Sequence, residues 1–188
     1  SSTAALTGSN YVIPGDLTLN PGTWTTTQTV VAMVGFAGQI APTSVVTING
    51  GATLKLFGAN TLRQLIFNNI GGEGAPKLDV NTTAGLLTLT SSTPFSSSIN
   101  NYSGSASTIT GVSGVAIAAG VNTVDVGAYT VSGTTDVFDP LVAGLSVSVP
   151  ISNSSTAASI TKTGGGLLQL SAANTFSGGL TISAGGFI

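Results

Sequence analysis

An all-β fold made by stacking, a β-solenoid, is what this chain of 188 residues predicts. Three observations lead there. Short segments with an apolar residue at every second position follow one another, which is the period of a half-buried strand. No segment keeps a 3.6-residue apolar stripe, and 26 glycines with abundant Thr, Val and Ser argue against helix. One thirteen-residue pattern occurs twice, at 50–62 and at 164–176, and self-similarity of that kind is the mark of a repeat architecture. We expect a distinct N-terminal β segment at 1–40, serving as a cap or assembly segment, followed by the solenoid at 41–188.

From the N-terminus, strands are expected at 16–20, 45–49, 53–57, 62–67, 77–80, 86–90, 121–126, 145–149, 167–170 and 180–182. Ala116 to Gly120 (AIAAG) is the one local helical pattern, and it is too short to stand alone. Turns are marked by Asn49-Gly50-Gly51, Gly71-Gly72, Gly164-Gly165-Gly166 and Gly178-Gly179, where glycine lets the chain bend without a Cβ clash.

The two copies of the repeat align without gaps, and seven of the thirteen positions are identical. The shared pattern is a glycine turn, leucines at alternate positions, then Ala-Asn-Thr and an apolar residue. Alternation puts Leu54, Leu56, Leu168 and Leu170 inside, with Lys55 and Gln169 outside. Asn60 and Asn174 are candidate corner residues, because an amide can donate to and accept from nearby backbone in a turn.

Charged residues make up 5 % of the chain and the net charge is −2, against an ordinary charged share of roughly 25 %. A basic face able to neutralise phosphates cannot be assembled, so nucleic-acid binding is disfavoured. With 41 % hydrophobic residues and little self-repulsion, association between copies is expected. The chain has no Cys, which removes disulfides and thiolate metal sites and fits export in an unfolded form. The longest apolar run, Val30 to Phe36, is far shorter than the ~20 residues of a transmembrane helix, so no transmembrane segment is expected. An opening Ser1-Ser2 and a final Gly186-Phe187-Ile188 on the threshold of a strand suggest a piece cut from something longer.

Chemistry is scarce. Without His or Cys the common nucleophile and base arrangements are excluded. Asp136 and Asp139 are the closest carboxylate pair, but a three-residue separation in a strand sets them on opposite faces, and Pro140 favours a turn at Asp139. Calcium would need about six to eight oxygen ligands, more than Asp125, Asp136 and Asp139 supply. The sequons at Asn81, Asn101 and Asn153 are what a chain rich in Ser and Thr produces by chance. Trp24, Tyr102 and Tyr129 are candidate glycan contacts, although nothing clusters them in sequence. The uncharged run from Thr29 to Phe36 is a core strand or, at an edge, a subunit contact. No catalytic, cofactor or metal residue is assigned, no cofactor is expected, and the chain is not expected to be an enzyme.

The stretch Ile160-Thr161-Lys162-Thr163-Gly164-Gly165-Gly166-Leu167-Leu168-Gln169-Leu170-Ser171-Ala172-Ala173-Asn174-Thr175-Phe176-Ser177-Gly178-Gly179-Leu180-Thr181-Ile182 resembles the autotransporter-associated β-strand repeat, also called the passenger-associated transport repeat. Leu167 and Gln169 replace that repeat's usual threonines, and Ala172 its usual glycine. The resemblance, placed at 160–188, implies a right-handed parallel β-helix, exported by a type V route and tied to passenger translocation and folding. It implies a structural or adhesive protein, secreted or on the cell surface of a Gram-negative bacterium from an outer-membrane anchored precursor; the scarcity of charge, above all towards both ends of the chain, adds the expectation that copies self-associate into fibres through strand edges. Two other functions stay open: a glycan-binding adhesin stalk that contacts cell-surface glycans, and a carbohydrate-active β-helix enzyme, which would need converging carboxylates or arginines in a chain with a single Arg.

Overall fold

The computed structural model describes residues 11–21, 29–33, 36–69, 74–80, 85–100, 105–130 and 142–188. Among them are eighteen strands and no helix. The chain winds in rungs. The first contains β1 (Leu17–Leu19) and β2 (Thr29–Met33), and the second β3 (Val45–Asn49), β4 (Ala52–Leu56) and β5 (Asn60–Leu62). The third contains β6 (Gln64–Asn69), β7 (Lys77–Val80) and β8 (Leu87–Leu89), and the fourth β9 (Phe95–Asn100), β10 (Ser107–Gly111) and β11 (Val115–Ile117). The fifth contains β12 (Gly120–Thr130), β13 (Leu145–Val147) and β14 (Ile151–Asn153). The sixth contains β15 (Ala158–Thr163) and β16 (Leu167–Leu170), and the last β17 (Leu180–Ile182) and β18 (Gly186–Phe187).

The second to fifth rungs give one strand to each of three faces, and among the described residues the first, sixth and last rungs give strands to two. The first sheet runs β1-β3-β6-β9-β12-β15-β17, the second β2-β4-β7-β10-β13-β16-β18, and the third β5-β8-β11-β14. Every neighbouring pair is parallel, as in β3 on β6 and β4 on β7. The fold is a parallel β-helix, and a right-handed winding is the sense that parallel strand connections take. β1 and β2 extend the first two sheets at one end, before residue 41.

Stacking sorts the side chains into columns. On the first sheet Leu17, Val46, Leu65 and Phe95 are in register, as are Val124, Lys162 and Ile182. Ser96 pairs with Asp125, so the two runs join into one inward column. On the second sheet Leu54, Leu78, Ile109, Val147 and Leu170 form another. Leu54, Leu56, Leu78, Ile109 and Leu168 are buried, and each aliphatic side chain so removed from water contributes about 1.5–3 kcal/mol. The inward placement of the repeat's leucines holds, with two refinements. Leu54 shares its column with Leu170 rather than with Leu168, a two-residue offset that preserves the face. Leu170 is half-buried against the core.

The rungs differ in length, which explains why the repeat is clear only locally. Val46 pairs with Leu65, 19 residues on, whereas Asn122 pairs with Ile160, 38 residues on. The single strand expected at 62–67 is two strands split at Arg63, because the chain turns there from the third face to the first. The Arg63 N–H donates to the Ser44 carbonyl at that corner, at 2.9 Å.

Candidate functional site

The sixth and last rungs hold the most specialised chemistry of the described residues. Between β15 and β16 the chain turns through Gly164, Gly165 and Gly166 directly against Val126, Gly127 and Ala128 of the rung before. A Cβ on Gly166 would collide with the Gly127 carbonyl oxygen. Gly185, on the last rung, sits against the same corner with φ +72°, and a Cβ there would collide with the Gly166 oxygen and stand 2.8 Å from the Lys162 Nζ. Glycine is needed at both places, since backbone packs on backbone.

Lys162 is the exception in the inward column. On β15 buried and half-buried positions alternate, and Lys162 falls on a buried one. Its side chain is fully buried between Val124 and Ile182. The Nζ donates to the Thr163 carbonyl at 2.7 Å, the Gly164 carbonyl at 2.7 Å and the Ala184 carbonyl at 3.0 Å. An ammonium has three donors, and all are used. Burial lowers the Lys162 pKa from its ordinary 10.5, and the Asp125 carboxylate acts in the opposite direction. Asp125 is also the acceptor for the Thr163 hydroxyl, at 2.8 Å. This role was legible in principle: with Ile160 inside, Lys162 two residues on lies on the same face.

The corner asparagines act as the repeat suggested. Asn174 donates to the Ala172 carbonyl at 3.0 Å and accepts the Ile151 N–H at 2.9 Å. Asn60 donates to the Phe57 and Gly58 carbonyls at 3.0 and 2.9 Å and accepts the Gly38 N–H at 3.2 Å. Each closes its own turn and ties it to the rung before. Asn122 closes a third corner, donating to the Ala118 carbonyl at 2.8 Å.

The last rung of the sequence is formed by β17 and β18. Ile182, Phe187 and Ile188 are 43 %, 41 % and 57 % exposed, although Ile182 and Phe187 continue the columns of Lys162 and Leu168. No charged side chain follows Lys162. At the other end β2, within the uncharged run 29–36, is the edge of the second sheet and pairs only with β4 among the described residues.

The other candidates are scattered or undescribed. Trp24, Tyr102, Asp136 and Asp139, the sequons at Asn81 and Asn101, and the side chain of Tyr129 lie outside the described residues. Among the described residues no three carboxylates gather as a metal site. The sequon asparagine Asn153 is a corner latch: it donates to the Ser177 hydroxyl at 3.0 Å and accepts the Ala158 and Ser177 N–H groups at 3.0 and 3.2 Å. No described helix is long and apolar enough to cross a membrane.

Stacked parallel rungs with glycine and asparagine corners define a structural repeat protein of the β-helix class. Residues 160–186, the rungs just described, match the model of the passenger-associated-transport-repeat. By that match, residues 160–186 resemble a repeat of autotransporter passengers. No curated protein and no solved structure matches the chain.

Proposed function

We propose that this chain is a structural or adhesive β-solenoid of an autotransporter-like passenger, secreted or displayed on a Gram-negative cell. In this role its end rungs are the assembly surfaces: the last rung of one copy stacks on the first rung of another and builds fibres. What supports this is the stack of parallel rungs, whose sheets grow strand by strand along their edges, together with the match of residues 160–186 to the passenger-associated-transport-repeat. A head-to-tail contact that does not close on itself produces a filament.

The experiment places Lys at Thr181 and Ser183, both exposed, and compares the variant with the parent by light scattering and electron microscopy. The expected result is filaments from the parent and single rods from Thr181→Lys/Ser183→Lys. A parent that stays monodisperse, or a folded variant that assembles as readily, overturns end-to-end stacking. Surface display is tested separately, by protease shaving of intact cells expressing the chain within its precursor.

A further inference from the structure

The geometry points to Lys162 as a latch that locks the last rung onto the solenoid: its Nζ grips the Ala184 carbonyl while held by the Thr163 and Gly164 carbonyls of its own rung. This rests on the proposal that the last rung is an assembly surface, and it names what keeps that surface in shape. A rung that adds to an edge needs an ordered edge to copy.

Three features support it. Lys162 stands in a column that is otherwise apolar, with Val124 below and Ile182 above, where a leucine or methionine would fill the space without desolvating a charge. The three acceptors converge on one nitrogen at 2.7–3.0 Å, from both sides of the boundary between rungs. Among the described residues no other side-chain hydrogen bond reaches 180–188. The corner itself is exposed from Ser183 to Gly185. Its backbone is held to the sixth rung by Ser183 N–H on the Lys162 carbonyl at 2.9 Å and Gly186 N–H on the Gly166 carbonyl at 3.2 Å. Gly185 leaves room for the Nζ, since a Cβ there would lie 2.8 Å from it.

The experiment uses the unassembled chain, so its result does not depend on whether copies associate. Hydrogen exchange followed by mass spectrometry is compared between the parent and Lys162→Met, which keeps an unbranched stem and removes the three donors. Amides of 183–188 are expected to exchange about tenfold faster or more in the variant, with those of 45–69 unchanged. Equal protection at 183–188 overturns the latch, and so does loss of structure throughout, since the device is confined to the last rung. A second measurement approaches it from the amine. In the folded parent, reductive methylation is expected to modify exposed Lys77 and to spare Lys162, whereas Gly185→Ala makes Lys162 reactive. A Lys162 that reacts as fast as Lys77 in the parent also overturns the proposal. If the latch stands and no filament forms, only end-to-end stacking fails.

Discussion

The side-chain oxygen of Asn174 accepts the backbone N–H of Ile151, one rung back, at 2.9 Å, and Asn60 does the same for Gly38 at 3.2 Å. One amide therefore serves two rungs. Asn60→Ala should destabilise the chain by about 1–3 kcal/mol, because it leaves half-buried backbone groups of Gly38, Phe57 and Gly58 without this partner. Asn174→Ala should cost less, because its side chain is half-exposed whereas that of Asn60 is buried. Urea unfolding of the two variants measures the order.

Leu54 and Leu170 occupy the same column at different depths. Leu54→Ala should cost about 2–5 kcal/mol, as for a cavity in a closed core, and Leu170→Ala roughly 1–2 kcal/mol, because part of that side chain is already in water. Equal costs from denaturant midpoints would contradict this register.

Gly166 and Gly120 separate collision from conformation. A Cβ on Gly166 meets the Gly127 carbonyl, while around Gly120, at φ +84°, nothing lies within 4 Å. Gly120→Ala should cost about 1–2 kcal/mol, the strain of a left-handed residue. Gly166→Ala should cost more than roughly 4 kcal/mol or prevent folding. Thermal melts of both variants give the comparison.

Burial lowers the Lys162 pKa below 10.5, so between the lowered value and the ordinary one the unfolded chain holds the proton more tightly than the folded chain. Where the unfolded state binds more protons, stability rises with pH. The cost of burying the charge is fully present below the folded pKa and is relieved as pH climbs through this window. The parent should therefore gain stability relative to Lys162→Met as pH is raised towards 10.5. A gap between the two proteins that stays constant with pH would show that Lys162 titrates alike in both states.

Few charges exist for ions to screen, since charged residues are 5 % of the chain. Unfolding midpoints should barely move between low and about molar NaCl, where the Debye length falls to roughly 3 Å. A large downward shift would mean that the Asp125–Lys162 pair, or Lys55 beside Asp79 across β4 and β7, holds more of the structure than its number suggests.

By itself the sequence determined the inward face of Leu54, Leu56, Leu168 and Leu170, the glycine turns and the corner asparagines Asn60 and Asn174, because period-two alternation and turn chemistry are local properties; Leu167, buried beside Leu168, escapes that alternation. It also carried the repeat at 160–186 as a legible motif. Tertiary structure alone decided which rung stacks on which, since partners range from 19 to 38 residues apart and no local rule fixes that length. It decided that Phe95–Asn100 is a strand although Ser97 points inward, the hydroxyl being satisfied by Ser107 at 3.1 Å and the Gly144 carbonyl at 2.9 Å. It also decided that Lys162, on a face where a charge is costly, is held by three carbonyls, one of them supplied 22 residues later by Ala184. A partner brought close only by winding leaves no trace in the residues beside it.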